Sequence, residues 1–205
     1  MIVIIDYGMG NLGSVLNMFR RVSTKEVIIS SDPEKIKKAD KLILPGVGSF
    51  KKAILNLNDR EFKPLLKDKV LVNKTPILGI CLGMQLFFES SEEGDIEGLG
   101  WLKGKVVRFQ NFERNNKLKI PHMGWNFVKI KKKSKLTYNL NEQNKFYFVH
   151  SYHVAYNDKT DILMNSNYGY KFVSAVEKEN IFGFQFHPEK SHNYGKVIFK
   201  NFSDL

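Results

Sequence analysis

Cysteine occurs once in the 205 residues, at position 81, so no disulfide can form within the chain. A lone thiol fits a reducing, cytoplasmic setting better than an oxidising one. No cluster of Cys and His has metal-ligand spacing, and neither a metal nor a cofactor is expected. No apolar run approaches the roughly 18 residues that would span a membrane, and the opening Met1-Ile-Val-Ile-Ile5 meets Asp6 too soon to serve as a signal peptide. Repeats and low-complexity linkers are also missing. Acidic residues are the scarcer charge, 21 against 32 basic, giving a net charge of +11. Such an excess raises nucleic acid as a partner. Much of it, however, sits in short runs such as Lys129-Ile-Lys-Lys-Lys-Ser-Lys135, with no recognition helix or aromatic platform beside them. A solvated, lysine-rich sheet edge, which discourages pairing between sheets, is the better reading. Neither nucleic acid nor membrane is expected to be a partner.

With 42% hydrophobic and 26% charged residues, the chain reads as one globular domain over 1–205, long enough to bury a substantial core. Strand-like runs at 2–5, 27–30, 42–44 and 77–80 alternate with helix-like stretches at 11–22, 33–38, 50–57, 62–72 and 82–89. Asp32-Pro33 supplies a cap and a first-turn proline for the second of these helices. That alternation predicts an α/β fold with a mostly parallel central sheet flanked by helices. From Trp101 the pattern changes to strands and hairpins at 102–109, 125–130, 146–156, 172–177 and 181–187, an additional antiparallel or mixed sheet, before a last helix over 193–202.

The cysteine stands in Gly79-Ile-Cys81-Leu-Gly83-Met-Gln85, after a buried strand and before a helix-like segment. This is the layout of a nucleophile elbow, in which small neighbours let the backbone turn sharply and lift one side chain clear of the sheet. A thiol at a helix start faces the positive end of the helix dipole, which favours the nucleophilic thiolate. A lone cysteine is ordinarily a small buried hydrophobe; the flanking glycines argue against that here.

Later comes Ile181-Phe-Gly-Phe-Gln-Phe-His187-Pro188-Glu189-Lys190. Its period of two predicts a strand with Phe182, Phe184 and Phe186 on one face and His187 off that face at the end. Pro188 stops the pairing. His187 and Glu189 suit a base and its orienting carboxylate, the first taking the Cys81 proton and the second fixing the tautomer. The ends of two strands must then meet, as active sites of open α/β sheets require.

These residues, with Ile5-Asp-Tyr-Gly-Met-Gly-Asn-Leu-Gly-Ser14, Pro45-Gly-Val-Gly-Ser-Phe50, Pro121-His-Met-Gly-Trp-Asn126 and Phe148-Val-His-Ser-Tyr-His153, carry a resemblance over nearly the whole chain. The chain resembles the triad class of glutamine amidotransferases and, within it, the glutaminase subunit of imidazole glycerol phosphate synthase. The resemblance implies a flavodoxin-like fold and a Cys81–His187–Glu189 triad that releases ammonia from L-glutamine through a thioester. It implies an oxyanion hole made by the N–H groups of Leu82 and Val47, in a loop whose Gly46 and Gly48 let a peptide reorient. Gly46, Gly48, Gln85 and Glu93, with the backbone of Ser151 and Tyr152, would hold the substrate. A (β/α)₈-barrel synthase subunit would dock over the mouth as the partner in a heterodimer, near Asn11, Trp125, Tyr147 and Lys190, and convert the ammonia into imidazole glycerol phosphate and aminoimidazole carboxamide ribotide in histidine biosynthesis.

Rival readings remain at this point. A paralogous glutaminase could feed a sugar-nucleotide amidotransferase of surface glycan synthesis, and the triad cannot separate the two. A γ-glutamyl hydrolase or peptidase of the same superfamily is disfavoured by the 121–126 and 148–153 motifs. A basic binding module would not need Cys81.

Overall fold

The computed structural model describes residues 1–110, 118–141, 143–156 and 158–205. The chain runs β1 (Ile2–Ile5), α1 (Leu12–Val22), β2 (Val27–Ser30), α2 (Pro33–Lys38), β3 (Lys41–Gly46), α3 (Phe50–Asp59), α4 (Phe62–Lys67), β4 (Ile77–Cys81), the single turn α5 (Leu82–Gln85), β5 (Phe88–Ser91), β6 (Ile96–Glu97) and β7 (Leu102–Arg108). It continues with β8 (His122–Phe127), β9 (Lys129–Ile130), β10 (Lys145–His150), β11 (Tyr152–Ala155), β12 (Ile162–Tyr168), β13 (Tyr170–Lys178), β14 (Ile181–Phe184) and α6 (His192–Asp204).

One sheet takes the order β2-β1-β3-β4-β14-β13-β11-β7-β5-β6, with β12 on β13 and β9 on β12. The half from β2 to β14 is parallel and the strands β14-β13-β11-β7 are antiparallel. Strands β8 and β10 form a separate antiparallel ribbon. Alternation within the apolar strands builds two cores. Val3, Ile5, Leu42 and Leu44 pack under α2, α3 and α4, whereas Ile2, Ile4, Ile43 and Leu78 pack under α1 and α6 through Phe19, Phe199 and Phe202. Strands buried on both faces read as continuous apolar runs, as 2–5 and 77–80 do. The lysine-rich segment at 129–135 begins on the short edge strand β9, and its Lys132 Nζ donates to the Thr160 and Glu177 carbonyls.

Three expectations are corrected, and all three bear on the site. The helix expected over 82–89 is one turn, after which the chain enters β5. Helix propensity loses there to tertiary pairing, because the Phe87 carbonyl accepts from Trp101 and Leu102 N–H and β5 joins β7. The strand expected over 181–187 ends as β14 at Phe184. Gln185 N–H still reaches Ser174 on β13, but His187 N–H reaches the Tyr147 carbonyl on β10, so this segment crosses from the large sheet to the ribbon. The strand expected over 146–156 divides at Ser151 in the same way, β10 pairing with β8 and β11 with β7. Strands β5, β6 and β12 carry no clear period-two pattern and were not expected.

Candidate active site

β4 ends at Cys81, which has φ 54° and ψ −109°, a strained conformation for a residue with a Cβ. The flanking glycines explain how the turn fits. A Cβ at Gly83 would lie 1.8 Å from the Leu44 carbonyl oxygen, and one at Gly79 would lie 2.6 Å from Met84 N. The turn therefore sits directly on β3 and on α5, closer than any side chain allows. Because α5 is a single turn, its dipole is a small one, and support for a thiolate has to come mainly from neighbouring side chains.

One such neighbour is His187, 1% exposed. Its Nδ1 lies 2.7 Å from Glu189 Oε1 in a pair buried on both sides. With Nδ1–H donating to the carboxylate, Nε2 is left without a hydrogen-bond partner among the described residues. Burial acts to lower the imidazole pKa, but the facing Cys81 charge and then Glu189 outweigh it and push it up to about 10. The backbone here is pinned, since Ser191 Oγ donates to the His187 carbonyl at 2.6 Å and accepts from Tyr147 N–H at 3.0 Å.

Cys81 and His187 open on one cavity of about 320 Å³, within the range that holds small-molecule ligands. Of the residues singled out from the sequence, Val47, Gly48, Leu82, Gln85, Glu93, Ser151 and Tyr152 also line it. Gly46 does not; it ends β3 opposite Cys81, where a Cβ would come within 3.0 Å of Gly83 N, Tyr7 Oη and Leu82 Cβ. The conformational freedom of this loop thus resides at Gly48, with φ +96°, and not at Gly46. Tyr7 donates to the Pro45 carbonyl at 2.8 Å, and burial keeps its phenol protonated. Glu93 Oε2 accepts Phe50 N–H at 2.9 Å, tying the cavity wall to the start of α3.

The other histidines near the cavity are committed. His150 lies between the Tyr152 carbonyl on Nδ1, 2.7 Å, and His122 Nδ1 on Nε2, 2.9 Å. Burial lowers the pKa of both, His150 well below the usual range and His122 to about 4. His153 Nε2 meets the Tyr170 hydroxyl at 2.9 Å, and burial lowers its pKa too.

Outside the cavity, Trp125, Tyr147 and Lys190 meet on one face. Trp125 is 45% exposed, lies edge-on to Tyr147 and stacks on His192 at 5.4 Å, while Lys190 Nζ lies 5.8 Å over the Tyr147 ring. Met123 and Phe127, exposed on alternate positions of the same strand, extend this apolar face. Asn11 is the cap of α1, its Oδ1 accepting Ser14 N–H.

Sequence reasoning missed Gln185, wholly buried, whose Nε2 lies 3.7 Å from Cys81 Sγ. An uncharged polar residue opposite three phenylalanines in a buried strand was the signal that could have found it. Pro121 and Val149 of the cavity wall were missed as well; side chains alone do not announce a wall built partly of backbone.

Residues 3–205 match the glutamine amidotransferase class-I family. The chain is 54% identical to the imidazole glycerol phosphate synthase subunit HisH 2 of Methanococcus maripaludis over 98% of each chain. It is 48% identical to the protein of the same name from Pseudomonas aeruginosa over the full length of both, and 51% identical to the HisH subunit of Sulfurimonas denitrificans over 99% of this chain and 97% of that one. Among solved structures, a glutamine amidotransferase superposes with a TM-score of 0.75 over 100% of both chains at 14% identity. PurLQS from Thermotoga maritima does so at 0.72 over 99% of this chain and 97% of that one, at 17% identity, a likeness of fold. The chain belongs to the class I glutamine amidotransferases and, within them, to the family of HisH subunits of imidazole glycerol phosphate synthase.

Proposed function

We propose that residues 1–205 form a single glutaminase domain that hydrolyses L-glutamine with Cys81 as nucleophile, His187 as acid and base, and Glu189 as the group that orients His187. The observation that carries this reading is the buried His187–Glu189 pair, whose imidazole opens with the strained Cys81 on one cavity. The thiolate adds to the side-chain amide carbon. The C–N bond breaks as His187 Nε2–H protonates the departing nitrogen, leaving ammonia and a glutamyl thioester. Water then adds to the thioester while His187 takes its proton, the C–S bond breaks, and glutamate leaves. Both tetrahedral intermediates need donors for the oxyanion. Leu82 N–H, at the start of α5 where no helical partner exists, and Val47 N–H across the cavity are assigned to it. The Gln85 amide N–H groups are used within the protein, so its carbonyl oxygen, with Glu93, is assigned to the substrate ammonium. The Ser151–Tyr152 backbone completes the substrate wall.

Ammonia is volatile and mostly protonated near neutral pH, so its release into bulk water serves little. The relatives' names place them in a synthase of more than one subunit. For this chain we assign a (β/α)₈-barrel partner in a cytoplasmic heterodimer, docked on the face of Trp125, Tyr147 and Lys190 with Asn11 at its margin, receiving ammonia for imidazole glycerol phosphate synthesis. Numbered copies among the relatives favour keeping a second acceptor, a sugar nucleotide, as the alternative.

The test is glutamate release from glutamine by the chain copurified with the barrel subunit of its own genome, with Cys81→Ala as control. Turnover that Cys81→Ala abolishes, while added ammonia still drives the partner reaction, is the expected result. Retention of glutamine-dependent turnover would exclude Cys81. Supplying each acceptor in turn separates the two pathways.

A further inference from the structure

Cys81 Sγ has two polar neighbours besides His187. The Val149 carbonyl oxygen lies 3.9 Å away, placed to receive the thiol proton. Gln185 Nε2 lies 3.7 Å away, placed to donate to sulfur. These pull in opposite directions. A carbonyl lone pair suits the thiol and repels the thiolate, whereas an amide N–H suits the thiolate.

That Gln185 presents nitrogen and not oxygen to sulfur follows from the network behind it. The Tyr152 carbonyl can only accept, so the atom of Gln85 3.0 Å from it is the amide nitrogen. The same nitrogen, 2.9 Å from the Gln185 side chain, meets its oxygen. The Gln185 nitrogen is then the atom turned to Cys81. Orientation is set from the far side too. Phe127 N–H fixes Asn126 Oδ1, so Asn126 Nδ2 donates to His122 Nε2. His122 Nδ1–H then donates to His150 Nε2, and His150 Nδ1–H to the Tyr152 carbonyl. Gln85 and Gln185 are 4% and 0% exposed, and a buried network with every direction fixed does not reorient at low cost.

We propose that the Gln185 side-chain amide is a catalytic donor that stabilises negative sulfur at Cys81, and that Gln85 is the positioning residue that aims it. The assignment rests on Cys81 being the nucleophile and deepens that reading. Gln185 offsets the unfavourable Val149 carbonyl when the thiolate forms. It acts again when water cleaves the thioester, because the electron pair of the C–S bond returns to sulfur. With α5 only one turn long, a side-chain donor takes the part that a long helix dipole would otherwise play.

Iodoacetamide tests this directly, since Cys81 is the only thiol in the chain: the S–C bond forms, iodide leaves, and the rate follows the thiolate. In Gln185→Met, which keeps the volume and removes the donor, alkylation at pH 7 falls about tenfold and converges on the parent rate at alkaline pH. In Gln85→Met, which frees the Gln185 amide to turn, the fall at pH 7 is about threefold with the same convergence. A parent-like rate at pH 7 in Gln185→Met, or a fall equal at every pH, overturns the proposal, because the first means no donation and the second a change of access alone. Should Gln185→Met lose its cooperative unfolding transition, Gln85→Met decides by the same criteria. Alkylation needs no glutamine turnover. A fall in these variants with no glutamate release from the parent complex would keep the donor and discard the glutaminase reading, and the converse pair of results would do the opposite.

Discussion

At the scale of single residues, the buried charges decide the behaviour of the site. His187 holds its proton more tightly than an ordinary imidazole, with a pKa raised from 6.5 to about 10 by Cys81 and Glu189 against the effect of burial. A raised value means that the stability this proton confers is complete below 6.5 and disappears as pH climbs toward about 10. The unfolding free-energy gap between the parent and His187→Gln should therefore narrow across that window in denaturant titrations; a gap that widens would mean the imidazole is held neutral. The two partners of Cys81 should also differ in kinetics. On the assigned roles, His187→Ala would remove both proton transfers and should cost about 10³-fold or more in kcat, whereas Glu189→Gln would keep the imidazole in place and should retain more activity. Steady-state rates of the partnered enzyme check the order, and a larger loss in Glu189→Gln would reverse the assigned roles. Cys81, His187 and Glu189 could be picked out from motif spacing because glycine and proline mark their turns. Gln185 could at most be noticed as a polar residue in a buried strand, because its part depends on a second amide, Gln85, far away in sequence.

At the scale of elements, the site is a product of how closely backbone can approach backbone. The elbow is held by β3, whose Leu44 carbonyl would be 1.8 Å from a Cβ at Gly83. Gly83→Ala should cost about 3 kcal/mol and reduce glutamine turnover together with stability. By contrast Gly13, with open space around its would-be Cβ, should accept alanine with no loss. Thermal denaturation of the pair measures the contrast, and equal midpoints would show that the elbow is not packed as described. The central parallel strands β1 and β4 were legible because they are buried on both faces and read as apolar runs. The segments at 82–89 and 181–187 were not. In the first, pairing of β5 with β7 overrides local propensity. In the second, the chain changes sheets after Phe184, and nothing in a period of two says which sheet a strand will join. That crossing carries His187 to the Tyr147 carbonyl, so the least legible stretch of the fold is also the one that places the candidate base.

At the scale of the whole molecule, one ribbon contributes both to the cavity wall and to the exposed aromatic face. β10 carries Tyr147 toward the face and leads through His150 to the Ser151–Tyr152 wall, and Trp125 lies opposite Tyr147 on β8. A subunit seated on Trp125 would thus rest on the element that also forms part of the cavity wall. The Val47–Gly48 segment is the part of the cavity wall with room to change conformation. Gly46 is clamped between Gly83, Tyr7 and Leu82, but Gly48 has a positive φ and only Met9 Cε near its would-be Cβ, at 3.4 Å. On the proposed reading the Val47 peptide has two orientations, and a docked partner with its acceptor ligand would shift the population between them. Loss of one oxyanion donor costs about 10²–10³ in rate, enough to keep the isolated chain nearly silent. The isolated chain is therefore expected to hydrolyse glutamine slowly and to be accelerated by the liganded partner subunit. Gly48→Ala, which disfavours the left-handed conformation without filling a packed space, should lower the ligand-stimulated rate at least tenfold while the dissociation constant for the partner stays within about twofold. Trp125→Ala should do the reverse, weakening the complex and leaving the turnover of whatever complex forms close to that of the parent. Titration of each variant with the partner, reading glutamate release and complex formation together, separates the two effects. An isolated chain that already turns over at the rate of the liganded complex would leave the loop with nothing to switch.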